Sequence, residues 1–393
     1  MRELLERAAE FETELIGLRR HFHQHPELSF QEEQTAREIA ARISALGYDV
    51  RQRVGRTGIV AELDHGEGPL VALRADMDAL PIQEANDVEY RSSRPGVMHA
   101  CGHDAHMSML VGAARLLMDL RARNELPPGR IRLLFQPSEE ASDRDNKSGA
   151  ARMIEDGALE DVDAVFGLHI GAHLKSGTFF VRTGPMMAGS DTFTAGIVGK
   201  SAHAARPQEG IDAVVLAAHA VLACQHAVAR RISPFEQGVL TIGTINGGTA
   251  ENVIADRVTL RGTIRYFEEP VRQALRKELK NALQVAEALG GKVELDLRNG
   301  YPPVVNDVAM TDLAHASIAQ LFGTHAIGHF EPMMGAEDFA LMLREAPGSF
   351  IWLGAALDRP REHHHPEFNI DEGVLIKGAA ALAAIAMQAL KNL

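Results

Sequence analysis

The chain has 393 residues, 46% of them hydrophobic and 24% charged, an ordinary globular composition with length enough for two domains. Its formal net charge of −13, with no long Lys/Arg block, argues against a nucleic-acid partner or an anionic membrane surface. Only two cysteines occur, Cys101 and Cys224, which excludes a disulfide framework and leads us to expect a reducing, cytoplasmic setting. The opening stretch is amphipathic and charged without a signal-peptide core, and no apolar run of membrane-spanning length is read from the sequence.

Leu4, Ala8, Phe11, Leu15, Leu18 and Phe22 recur at helical spacing, and a second helix is predicted from about Gln31 to Leu46, closed by Gly47. Strands are expected at Ile59 to Leu63 and Leu70 to Arg74, the latter running into Asp76 and Asp78. A helix from Asp104 to about Leu120 follows His99-Ala-Cys-Gly-His-Asp-Ala-His106, eight residues that hold a thiol, three imidazoles and a carboxylate. Cys101 and His103 flank one glycine, so a turn there aims sulfur and imidazole at one cation. The strand Ile131 to Gln136 ends in Pro137-Ser-Glu-Glu140, and the strand Ala164 to Leu168, beyond a helix at about Lys147 to Asp156, ends in His169. Strands alternating with helices indicate a mostly parallel central sheet with helices on both faces, an α/β domain whose site lies at the strands' carboxyl ends. Asp76, Glu139, Glu140, His169 and the Cys101-Gly-His103 turn all converge on that edge.

From about Pro185 the order becomes βαββαβ, an α+β ferredoxin-like unit read as an insertion. The expected division is a discontinuous catalytic domain of residues 1–184 and 300–393 around an inserted lid of residues 185–299. The helices Ala309 to Leu321 and Ala336 to Arg344, the strand Ser349 to Leu353 and a last helix from Asp371 to Leu390 return to α/β character.

Adjacent glutamates after a strand are commonly a solvated turn. Beside Cys101, His103 and His169 they instead divide labour, one carboxylate binding metal and the other reaching a water as general base. His203 on the insertion is a candidate donor to an oxyanion. Asn252 and Arg265 are candidates for holding a substrate carboxylate. Cys224, among apolar neighbours in a helix, reads as core. The triple His363-His364-His365 is followed by a complete amphipathic helix and is native sequence, with at least one member expected to face the site.

Together, Phe22-His-Gln-His-Pro-Glu-Leu-Ser29, Leu73-Arg-Ala-Asp-Met-Asp-Ala-Leu-Pro81, Met98-His-Ala-Cys-Gly-His-Asp-Ala-His106, Gln136-Pro-Ser-Glu-Glu140, Gly167-Leu-His169, Ser201-Ala-His203, Gly335-Ala-Glu-Asp-Phe339 and His364-His-Pro-Glu-Phe368 resemble the M20 metallopeptidases. The similar branch holds aminoacylases, hippurate hydrolases and auxin-conjugate hydrolases. The resemblance implies two divalent metal ions, bridged by Cys101, with His103 and His169 on one and Glu140 and His364 on the other. His363 and His365 are the alternatives to His364. Glu139 becomes the general base and His203 the lid histidine, which in dimeric relatives reaches a neighbouring subunit. Asp76 falls where the wider family orients a metal-binding histidine, but Arg74 stands where that histidine would be. A bridging thiolate suits zinc, cobalt or nickel, and manganese enters by resemblance. The implied reaction is hydrolysis of an N-acyl-amino acid to a carboxylic acid and a free amino acid. A carboxypeptidase or dipeptidase is the alternative, and a metal-free Cys/His hydrolase is the third reading. The partner is a small acyl-amino acid or peptide, with a homodimer or homotetramer formed through the lid.

Overall fold

A computed structural model describes residues 2–393, the side chain of Arg2 excepted. Two compact units are present: Met1–Met186 with Val305–Glu331 and Asp338–Leu393, and Met187–Val304 with Pro332–Glu337.

The first unit is built on an eight-stranded sheet. In spatial order its strands are Asp49–Val54, Gly58–Asp64, Arg130–Gln136, Leu70–Asp76, Ala164–Gly171, Gly348–Gly354, Phe179–Phe180 and Ile327–Gly328. The four central strands, Arg130–Gln136 to Gly348–Gly354, run parallel to one another, and both of the strands that flank this group pair with it antiparallel. Every residue of Leu70–Asp76 and of Ala164–Gly171 is buried, which is how strands covered by helices on both faces read. This mostly parallel α/β sheet is the architecture expected from the alternation of strands and helices.

Two helices, His103–Ala122 and Leu375–Asn392, pack closely because Gly112 lacks a side chain: a methyl there would stand 2.9 Å from the Ala379 Cβ. The amino-terminal periodicity read as one helix is two, Arg2–Ala9 and Glu12–Gln24. The strand Asp49–Val54 was not anticipated. Its sequence, Asp-Val-Arg-Gln-Arg-Val, is mostly exposed and polar, as suits a sheet edge, and Arg53 sits at φ 62 where the register shifts.

The second unit is a four-stranded antiparallel sheet in the spatial order Gly238–Gly247, Arg257–Tyr266, Gly189–Val198, Lys292–Asn299. The helices Ala213–Arg231 and Glu269–Ala288 supply its core through Leu216, Cys224, Leu275 and Leu279. This is the expected βαββαβ order, and Cys224 lies in the core as read.

Two segments correct the reading of apolar runs. Ala213–Arg231 and Glu372–Asn392 are long and apolar enough, by length and composition, to cross a membrane. In the second, 72% of the most apolar window is buried within the protein, so packing accounts for its apolarity.

Candidate metal centre

The helix His103–Ala122 starts at Gly102, whose φ of 94° suits a residue without Cβ; a methyl there would also touch the Ile170 side chain at 3.4 Å. This turn puts Cys101 and His103 on either side of one residue. Cys101 Sγ stands 3.6 Å from His169 Nε2 and 3.9 Å from His363 Nδ1. Its sulfur, His103 and Glu140 also present ligand atoms within 4.8 Å of one another.

Hydrogen bonding sorts the imidazoles, because a ring nitrogen that donates or accepts elsewhere has no lone pair for a metal. His103 Nδ1 donates to the Asp78 carbonyl at 2.8 Å, leaving Nε2 buried without a partner. His169 Nδ1 donates to the Ile170 carbonyl at 2.8 Å, leaving Nε2 toward the sulfur. His106 is different. Its Nε2 accepts from the Ile170 amide at 2.9 Å and its Nδ1 donates to Asp76 at 2.6 Å. Although it lies within ligand distance of His103 and His169, its lone pair is engaged and it is a structural residue.

The carboxylates come from the turn after Arg130–Gln136. Asp78 organises it: one oxygen accepts the Glu139 amide and the other the Glu140 amide, both at 3.1 Å, and Ser29 donates to it at 2.6 Å. Ser138 adopts φ 46, and its amide donates to the buried Glu32 carboxyl at 2.9 Å. His364 Nε2 lies 3.1 Å from Glu140 Oε1, yet that buried oxygen accepts no hydrogen bond. The His364 backbone, at φ 65, donates to the Ala100 carbonyl at 2.8 Å and so holds the histidine run beside the Cys101 turn.

Glu32 supplies a pH test. Burial and the charge of Asp78 raise its pKa from 4.5 to about 7. The folded chain therefore binds a proton that the unfolded chain has released between those values, so stability falls as pH rises through the window. The expected loss is about 3 kcal/mol, from ~1.4 kcal/mol per pKa unit. Urea unfolding below and above the window checks this, and Glu32→Gln should flatten the slope; an equal slope in that variant would contradict it.

The electrostatics ask for a cation. Burial together with Glu140, Glu139 and Asp76 pushes the Cys101 thiol well above its usual range. Burial alone would lower His103, but Asp76, Asp78 and Glu140 outweigh it and raise the ring to about 10. A proton or a metal ion satisfies that excess negative charge. The donor set, with two buried ligand atoms that make no hydrogen bond of good geometry (His103 Nε2, 3.7 Å from Asp76, and Glu140 Oε1, 3.1 Å from His364 Nε2), fits a divalent transition metal.

Behind the site runs a buried ionic chain. Asp76 pairs with Arg74 at 2.7 Å, and Arg74 reaches Asp338 at 3.0 Å. Asp338 also accepts from Gln136 at 2.8 Å and from the Ala150 amide at 3.1 Å. Asp76 stands 3.7 Å from His103 Nε2 but makes its short bond to His106. Arg74, where the resembling family has a histidine, thus neutralises the aspartate. Asp78 is read from the sequence only as a carboxylate at the strand's end beside Asp76, and Arg74, Asp338 and Glu32 are assigned no role there. Asp78, Arg74 and Asp338 lie inside the motifs quoted above, whereas Glu32 carries no signal that separates it from surface charges.

His203, Asn252 and Arg265 lie in the second unit. His203 pairs with Val253 in a two-stranded ribbon, and the Ala204 amide donates to the Asn252 carbonyl at 3.0 Å, so His203 and Asn252 are neighbours. The Ala205 amide donates to His203 Nδ1 at 3.0 Å, which leaves Nε2–H as an exposed donor. Arg265, on Arg257–Tyr266, is partly buried, and burial lowers its pKa.

A model of the peptidase family M20/M25/M40 matches residues 72–388. The chain belongs to this family. An N-acetyl-L-cysteine deacetylase of Bacillus subtilis (strain 168) is 41% identical over 374 residues, covering 94% of this chain and 86% of the relative. Thermostable carboxypeptidase 2 of Saccharolobus solfataricus is 38% identical over 386 residues, 96% of each chain. A crystal structure of a dinuclear metal-binding M20 peptidase from Bacillus subtilis superposes with a TM-score of 0.84 at 34% identity, covering 98% of this chain and 99% of that one. This M20 protein is a metal-dependent hydrolase.

Proposed function

We propose that this M20 hydrolase cleaves the amide of N-acyl-amino acids, such as N-acetyl or N-benzoyl conjugates, using two divalent ions per subunit. The observation that carries this is the gathering of ligand atoms from Cys101, His103, His169 and Glu140, next to a second glutamate held by the same aspartate. Cys101 would bridge the ions, with His103 and His169 on one and Glu140 and His364 on the other. Zinc, cobalt, nickel and manganese are the candidates. Bound divalent ions supply Lewis acidity, which polarises the scissile carbonyl and makes water acidic enough to ionise near neutral pH.

Glu139 takes the proton of the attacking water and delivers it to the leaving nitrogen. Asp78 fixes the backbone of both glutamates, so the base and the ligand keep one relative placement. Asp76 acts behind the site, orienting His106 rather than touching substrate. From the inserted lid, of residues 185–299, we assign His203 Nε2–H to the developing oxyanion, and Asn252 and Arg265 to the substrate carboxylate. For Arg265 the support is its partial burial, with no ion pair among the described residues.

The carboxypeptidase or dipeptidase reading is favoured by the thermostable carboxypeptidase relative. A panel of N-acetyl-amino acids, N-benzoyl-amino acids and dipeptides decides: acyl conjugates should have the higher kcat/KM, and amidating their carboxylate should lower it. Dipeptides turned over faster would transfer the assignment to the peptidase reading. The metal-free thiol mechanism, which would pair Cys101 with His103 or His106, is weakened at His106, both of whose ring nitrogens are engaged.

The edge strand Gly238–Gly247 is largely exposed, beside a helix that exposes Val214, Val215 and Leu222. We assign this surface to a second copy of the chain, giving a homodimer or homotetramer. Sedimentation equilibrium finding only monomer would contradict it. A cytoplasmic location accords with the free cysteines.

A further inference from the structure

The three consecutive histidines take separate places. His364 faces Glu140, while His363 turns inward against Cys101. Two contacts fix the state of the His363 ring. The Ala172 amide donates to its Nε2 at 3.3 Å, so that nitrogen carries the lone pair and the proton of the neutral ring sits on Nδ1. Nδ1 is the atom 3.9 Å from Cys101 Sγ, within hydrogen-bond reach of sulfur. The ring is also immobilised. It stacks on His169 with centroids 5.3 Å apart and an interplanar angle of 14°, and Phe368 meets it edge-on at 5.4 Å.

Resting on the metal-centre reading above, we propose that His363 is a positioning residue that donates its Nδ1–H to the metal-bridging thiolate of Cys101 and is not itself a ligand. An N–H aimed at a coordinated sulfur draws electron density from it, which tempers the softness of a thiolate bridge and fixes the sulfur's lone-pair directions. His169 differs in the decisive respect: its Nδ1–H is spent on a backbone carbonyl, so its Nε2 is free to coordinate. His363 has the reverse arrangement, with the atom facing the sulfur bearing the hydrogen. The two stacked rings thus serve the same sulfur in different ways, one through a shared cation and one through a proton.

The test uses the full-length protein loaded with cobalt(II), read by electronic absorption and metal analysis. His363→Phe keeps a stacking ring but removes the donor; His363→Asn restores a donor near the Nδ1 position. The expected result is a thiolate-to-cobalt charge-transfer band that moves to longer wavelength in His363→Phe and returns toward wild type in His363→Asn, with cobalt content and the ligand-field bands unchanged in both. An unmoved band in His363→Phe would overturn the proposal. So would a lower cobalt content with altered ligand-field bands, which would make His363 a ligand. A wild-type protein that binds cobalt without any thiolate band would sink the bridging role of Cys101 on which the proposal stands, a failure separate from that of His363.

Discussion

Glu139→Gln should lower kcat by about 10²- to 10⁴-fold, the usual worth of a positioned general base, while the bound metal stays in place. Glutamine fills the same volume but cannot accept a proton from water. The substitution leaves the turn intact, since the Glu139 amide is held by Asp78 through the backbone and the Glu140 amide by the other oxygen of the same carboxylate. Steady-state hydrolysis of N-acetyl-methionine and metal analysis of the same preparation check both halves. Loss of metal in this variant would mean that the two glutamates have exchanged roles.

The largest stability effect is expected at Arg74, which is 2% exposed and bridges Asp76 and Asp338, both fully buried. Arg74→Met would leave two carboxylates without their cation in the interior. Removing one partner of a buried pair costs ~3–5 kcal/mol, because the remaining charge keeps its desolvation penalty and loses its compensation. Asp76 now lies well below the usual carboxylate range, despite burial, because of Arg74, His103 and His106, whereas burial holds Asp338 above that range. Urea unfolding of the chelated protein gives the loss; one below about 1 kcal/mol would show that the carboxylates take up protons cheaply and that Arg74 is not their main support.

The sequence made the chemistry legible at strand ends. Glu139-Glu140 and His169 end or follow apolar strand runs, and Cys101-Gly102-His103 stands out by its density of ligand atoms at the start of a helix. What it could not reveal was hydrogen-bond direction. His103, His106, His169 and His363 are the same residue type in the same neighbourhood, and only the acceptor or donor opposite each ring nitrogen separates a ligand from a brace. The Arg74 to Asp338 contact spans 264 positions and leaves no local pattern. Glu32 reads as an ordinary helix-entry acid until Thr57 and Ser138 close over it. The edge strand Asp49–Val54 escaped notice because an exposed strand has no apolar alternation to display.

The two-metal hydrolase account is tested most directly by counting metal ions in the purified protein and following N-acetyl-methionine hydrolysis before and after exhaustive chelation. The account predicts two divalent ions per chain, activity lost with them, and recovery when zinc, manganese, cobalt or nickel is added back singly. Undiminished hydrolysis by metal-free protein, abolished by alkylating Cys101, would contradict it.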